Sequence, residues 1–284
     1  MKLAERIQHV ELSPTFRINA LARRMKAQGI DVLDFSVGEP DFETPRCAKE
    51  AGKSAIDRNV TRYTANEGTL ELRQAIVDKL KADNDLTYAT DQVLVSPGAK
   101  ASLYCAAMAL FGPGDEVLVP QPYWVSYPEQ IRLAGATPVP LVAQERNGFK
   151  ITPKEIEAAR GPNTRGLILN YPSNPTGACY DRRELAAIAE VAVKRNLVVV
   201  ADEIYEKLLY CCTGVIPNPN RASSRLRKSM IIRITDSPQL MVAAPRRSIA
   251  WERGPMFNAS TFWRSIPHFL PGSGSAGDCV AAAS

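Results

Sequence analysis

Three groups of residues stand where a folded chain could use them for chemistry. Asp202 closes the apolar run Leu197-Val198-Val199-Val200-Ala201, which puts a carboxylate at the end of a buried strand. Read alone, it is equally a helix cap or a loop residue. Gly98-Ala99-Lys100 begins a helix directly after the strand Val93-Leu94-Val95 and the link Ser96-Pro97. The unspent backbone N–H groups of a first helical turn, with the positive end of the helix dipole, form an anion site. Lys100 either adds charge there or is a solvated helix residue. Asn174-Pro175-Thr176-Gly177 is made of turn residues, so it fixes a side-chain amide at a bend. The six cysteines form no C-x-x-C pair and there are two histidines, so no zinc site is expected and the thiols read as reduced and scattered.

The elements that must position these groups are legible from periodicity. Ile18, Leu21, Ala22 and Met25 share one face of a helix after Pro14, stopped at Gly29. Val32 to Val37 reads as a short strand broken by Gly38-Glu39-Pro40-Asp41. A long helix follows Gly68-Thr69, with Leu72, Ile76 and Leu80 on one face. From Val93 onward, apolar strands alternate with helices. Strands are expected at 93–95, 116–119, 137–142, 166–170 and 197–201. Helices are expected from Gly98, over about 123–133, from Thr152, and from Asp181 to about Arg195. Thr152 with Glu155, and Asp181 with Glu184, have the cap-and-third-residue spacing that starts a helix. Such alternation argues for an α/β fold with a mostly parallel sheet covered by helices on both faces, whose ligands gather at the carboxyl ends of the strands.

The pattern fails after Tyr210. Residues 1–210 carry 26 Lys and Arg against 27 Asp and Glu, whereas 211–284 carry 9 against 3. That turns a balance of −1 into one of +6, within a formal net charge of +5. The tail is rich in Arg, Ser and Pro; within it Met230 to Ile234 could form a strand, and 271–277 reads as flexible linker. No apolar run approaches the roughly 20 residues needed to span a bilayer. The start of the chain lacks the apolar stretch of a secretory signal, so the cytoplasm is expected. Arg, Trp251 and Trp263 in the tail form no recognisable nucleic-acid module, and no nucleic-acid partner is expected.

Four stretches in order carry a resemblance: Ser36-Val37-Gly38-Glu39-Pro40-Asp41-Phe42, Pro122-Tyr123-Trp124, Asn174-Pro175-Thr176-Gly177 and Asp202-Glu203-Ile204-Tyr205, with Tyr63 and Ser96-Pro97-Gly98-Ala99-Lys100 between them. Together they resemble the class I/II pyridoxal-phosphate-dependent aminotransferases of fold type I, and within them the bacterial aspartate/prephenate group. The likeness covers residues 1 to about 210. It implies an N-terminal interface or small-domain segment (1–45), an incomplete cofactor-binding large domain (46–210) and an unmatched tail (211–284).

The resemblance also assigns roles. Asp202 would pair with the protonated pyridine nitrogen of pyridoxal 5'-phosphate and keep the ring an electron sink. Asn174 and Tyr205 would hydrogen-bond the ring's phenolic oxygen and favour its ionised form. Gly98, Ala99 and Lys100 would hold the phosphate. Trp124, otherwise a plausible core tryptophan, would stack on the ring. Gly38, Trp124 and Asn174 would face the substrate. Tyr63 would reach the phosphate of a partner subunit, implying a homodimer. The substrates would be an amino acid such as aspartate and a 2-oxo acid.

One part is missing from the sequence. The family holds its cofactor through a Schiff-base lysine in a Ser-Lys…Gly-Trp-Arg stretch after the Asp-x-x-Tyr strand. After Lys207 the chain has only Lys228, in Arg227-Lys228-Ser229-Met230, and no such stretch follows. No catalytic residue is therefore assigned, and little or no turnover is expected. The tail is expected to lack the next sheet strands. A shifted reading frame near Tyr210, a genuine new tail and a disordered basic arm are the open accounts of it. The alternative function is a non-catalytic fragment that binds the cofactor or a full-length relative.

Overall fold

The computed structural model describes residues 4–8, 10, 14–35, 38, 42–208, 231–235 and 240–241. The order of elements is α1 (Pro14–Ala27), α2 (Arg46–Asp57), α3 (Leu70–Asn84), β1 (Val95–Ser96), α4 (Ala99–Leu110), β2 (Glu116–Gln121), α5 (Ser126–Leu133), β3 (Thr137–Val142), α6 (Pro153–Ala159), β4 (Thr164–Asn170), α7 (Arg182–Lys194), β5 (Val198–Glu203), β6 (Ile231–Thr235) and β7 (Leu240–Met241). Five strands make one sheet in the order β3-β2-β4-β5-β6, with every neighbouring pair parallel. A separate antiparallel pair joins β1 to β7.

Strand residues alternate between two buried faces, which is why these strands read as continuously apolar. Leu118, Leu167, Leu169, Val199 and Ala201 pack with Ile156, Leu185, Ile188 and Ala192 of α6 and α7. Val117, Val119, Ile168 and Val200 pack with Leu103, Ala107, Tyr127 and Ile131 of α4 and α5. Burying a side chain of this size contributes about 1.5–3 kcal/mol, so the two clusters dominate the fold. A smaller cluster of Ile76, Leu80 and Val93 seats α3.

Several expectations hold locally. The Asp181 carboxylate accepts from the N–H groups of Arg183 and Glu184, and Glu184 accepts in return from the Asp181 N–H. At α6 the Glu155 carboxylate accepts from the Thr152 N–H at 2.6 Å. Others need correction. Asp31 to Phe35 forms no strand, and Ser36 and Val37 lie outside the described residues. Helix α2 was not anticipated; its composition gives few apolar anchors, and Ala55 is its one buried residue. Ile18 and Leu21 of α1, expected to face a core, are more than half exposed. Cys105 and Cys179 are free, but Cys47 is disulfide-bonded, against the expectation of six reduced thiols.

The tail needs the largest correction. Residues beyond Tyr210 do supply sheet strands: β6 runs parallel to β5 in the register Val199↔Ile231 to Glu203↔Thr235, and β7 pairs with β1. The strand read at Met230 to Ile234 is therefore part of the sheet, displaced by one residue. It covers an edge of β5 that would otherwise leave its backbone groups unpaired.

Candidate functional site

The site is assembled at the carboxyl ends of β4 and β5 and the start of α4, where a parallel sheet gathers ligands. The period-2 alternation of β5 sends Asp202 to the same face as Val200, toward α4 and α5, and Glu203 to the opposite face. Both are buried, at 3% and 2% exposure. The Tyr127 hydroxyl of α5 donates to Asp202 Oδ2 at 2.7 Å, and the Ile204 N–H donates to Oδ1 at 3.1 Å. On the other face, the Tyr171 hydroxyl donates to Glu203 Oε1 at 2.7 Å.

Burial pushes the Asp202 carboxyl above its ordinary value; the Tyr127 and Ile204 hydrogen bonds oppose this and the Glu203 charge adds to it. Burial first, then the Asp202 charge, holds the Tyr127 hydroxyl well above its ordinary value, so the proton of that bond stays on tyrosine. No cation among the described residues pairs with Asp202.

Asn170, the ladder partner of Asp202 on β4, ties the strand ends to the turn that follows. Its Nδ2 donates to the Asp202 carbonyl at 3.0 Å, and its Oδ1 accepts from the Asn174 N–H at 2.7 Å. Asn174 Nδ2 in turn donates to the Tyr205 hydroxyl at 3.3 Å. These two polar side chains, from different loops, thus meet as one pair. The Tyr205 loop is anchored from outside: Glu206 accepts from Lys79, and from Asn84 Nδ2 at 3.0 Å, both on α3.

At the start of α4, Gly98 has φ +85°, a conformation that favours glycine, and a Cβ there would meet nothing within 4 Å among the described residues. The N–H groups of Ala99 and Lys100 have no acceptor among the described residues, while those of Ala101 and Ser102 turn back to the Gly98 carbonyl. A buried hydrogen bond joins Ser96 Oγ and Ser102 Oγ across this turn. Lys100 Nζ lies 5.0 Å from the centre of the Trp124 ring, close enough for a cation–π contact, and its carbonyl accepts from Gln130 Nε2 at 2.9 Å. Trp124 meets Tyr127 edge to face, with ring centres 5.4 Å apart.

A continuous line of contacts thus runs Lys100–Trp124–Tyr127–Asp202–Asn170–Asn174–Tyr205. It unites five residues that the sequence singled out and adds two that it did not, Tyr127 and Asn170. Tyr127 follows Trp124 by three residues, but nothing local says that Asp202 faces it. Gly38 and Tyr63 are exposed, and this line does not run through them.

The model of the "Aminotransferase class I and II" family matches residues 30–234. The chain belongs to that family. Among its relatives, an aspartate aminotransferase of Bacillus sp. (strain YM-2) is 46% identical over 208 residues, which are 73% of this chain and 53% of the relative. A bifunctional aspartate aminotransferase and glutamate/aspartate-prephenate aminotransferase of Petunia hybrida is 48% identical over 211 residues, 74% of this chain and 44% of the relative. The chain spans about half the length of the curated relatives it matches. Among solved structures, an aspartate aminotransferase from Rhizobium meliloti aligns with a TM-score of 0.80 at 34% identity, over 87% of this chain and 64% of that one. The Thermus thermophilus enzyme with maleate aligns with a TM-score of 0.78 at 34% identity, over 86% and 65%. The fold is therefore that of the fold-type I aminotransferases, and the family match extends past Tyr210 into β6.

Proposed function

We propose that this chain carries the pyridoxal 5'-phosphate half-site of an aspartate aminotransferase-like protein, built for moving an amino group between an amino acid and a 2-oxo acid. The observation that carries the reading is Asp202: a buried carboxylate, fixed by two donors, with no cationic partner among the described residues. A protonated ring nitrogen would supply that missing charge, and the cofactor therefore fits. When bound, the cofactor supplies an electron sink for negative charge at the substrate α-carbon.

The chain's own residues would act as follows. Asp202 accepts the ring N–H and keeps it protonated. Asn174 and Tyr205 meet the phenolic oxygen. Gly98, Ala99 and Lys100 offer N–H groups and positive charge to the phosphate. Trp124 lies against the ring, and with Gly38 and Asn174 faces the substrate.

We take 46–210 as the large cofactor-binding part and 1–45 as an interface segment. Leu33, Phe35, Phe42 and Tyr63 are more than 80% exposed, which favours a second subunit covering them, with Tyr63 reaching the partner's phosphate. No helix of the described residues is long and apolar enough to cross a membrane; a cytoplasmic location is part of the same reading. A fragment that pairs with a full-length relative is the alternative that these exposed side chains also favour.

Because no Ser-Lys…Gly-Trp-Arg stretch follows Tyr205, turnover should be lower than an intact family member's by at least the ~10²–10⁴-fold typical of a lost acid–base group. Equilibrium dialysis of the purified chain against the cofactor should give saturable binding, and borohydride treatment should leave no cofactor covalently attached. Absence of binding would overturn the cofactor reading. Covalent attachment with substantial transamination would overturn the expected loss of activity.

A further inference from the structure

Tyr127 has no assigned part in cofactor or substrate binding, yet its side chain hydrogen-bonds the Asp202 carboxylate. Its hydroxyl lies 2.7 Å from Asp202 Oδ2, both residues are 3% exposed, and they are 75 positions apart. We propose that Tyr127 is a positioning residue that holds the Asp202 carboxylate in one orientation and keeps it ionised for the ring nitrogen it is to meet.

The geometry gives the reason. The Ile204 N–H holds Oδ1 and the Tyr127 hydroxyl holds Oδ2, so the plane of the carboxylate is fixed from both sides. A carboxylate has about four acceptor positions, so two donors leave room for a third. Tyr127 is itself fixed: it lies in the second position of α5, and its ring packs edge to face on Trp124 at 83°. Burial alone drives Asp202 toward its neutral form, and a donor to the charged form opposes that. Such charge-assisted bonds are roughly twice as strong as neutral ones. The other titrating groups bearing on the pair are Glu203 on the same strand and Tyr205 beyond its end, and both act against added negative charge here. Without the hydroxyl, Asp202 keeps one donor and its burial.

The ring-binding part of this proposal rests on the cofactor reading above; the hold on Asp202 does not. Tyr127→Phe keeps the ring and its contact with Trp124 and removes only the hydroxyl. In the cofactor-free full chain, the Asp202 titration can be followed by carboxyl ¹³C resonances, assigned with Asp202→Asn. It should move upward by about one to two pH units in Tyr127→Phe. Cofactor affinity, measured by dialysis at neutral pH, should fall roughly tenfold. An unchanged or lowered Asp202 titration overturns the proposal whether or not the cofactor binds. A raised titration with unchanged affinity overturns its link to the ring. A raised titration in Tyr127→Phe, together with a wild-type chain that binds no cofactor, upholds the hold on Asp202 and overturns the cofactor reading instead.

Discussion

Replacing Asn170 with alanine removes a side chain that bonds both to the Asp202 strand end and to the Asn174 turn. Two hydrogen bonds go: Nδ2 to the Asp202 carbonyl at 3.0 Å, and the Asn174 N–H to Oδ1 at 2.7 Å. They are not equivalent. The Asp202 carbonyl keeps a second donor, the Tyr171 N–H at 3.0 Å, so its loss falls at the low end of the ordinary ~0.5–1.5 kcal/mol. The Asn174 N–H loses its acceptor in a half-buried turn, where an unsatisfied donor costs about 1–3 kcal/mol. Together the expected destabilisation is about 2 kcal/mol, roughly a thirtyfold drop in the folded-to-unfolded ratio. Urea unfolding of Asn170→Ala against wild type measures it. Hydrogen exchange locates it: the Asn174 amide should lose protection while the Val199 and Val200 amides of β5 keep theirs relative to each protein's global stability. A cost under about 0.5 kcal/mol, or an Asn174 amide that exchanges as before, would refute the claim that Asn170 positions this turn.

Two further outcomes test the frame around the site. Gly166→Ala should destabilise by about 1–3 kcal/mol in urea, because the new Cβ would lie 2.5 Å from Phe111 Cε1 and Cζ in the core; Phe111→Leu should recover part of the loss, and a neutral Gly166→Ala would show that α4 yields easily. Hydrogen bonds from Arg195, and then from Arg160, hold the Glu157 carboxyl down at about 2. A carboxyl depressed in the folded state stabilises above its unfolded value of 4.5, and that contribution is lost as pH falls toward about 2. Glu157→Gln should therefore show a flatter stability profile over that window, and an identical profile would count against the pairing.

How much of this could be read without coordinates differs from element to element. Asp181 and Glu184 announce α7 because a cap works over three residues, and the bonds are there. The same holds for β3, whose bounds agree with the expectation to the residue. Asn174 and Asp202 were legible as candidate groups because turn chemistry and the end of an apolar run are also local signals. The stretch at Val32 misled, since a short apolar run has the composition of a strand and needs a pairing partner to become one. Composition misled again after Tyr210, where the Arg-rich tail looked foreign although five of its residues extend the sheet beside β5.

What the sequence settled by itself is the set of groups available, the helices that its caps and periodicity define, and the family to which its motifs belong. The tertiary structure decided strand order, which face of β5 carries Asp202, and therefore that Tyr127 meets it across 75 positions and that Glu206 is held by α3 across more than a hundred. The physical reason is that caps, turns and apolar period act through neighbours within a turn or a strand. Pairing and packing act between segments brought together only when the whole sheet buries both of its faces.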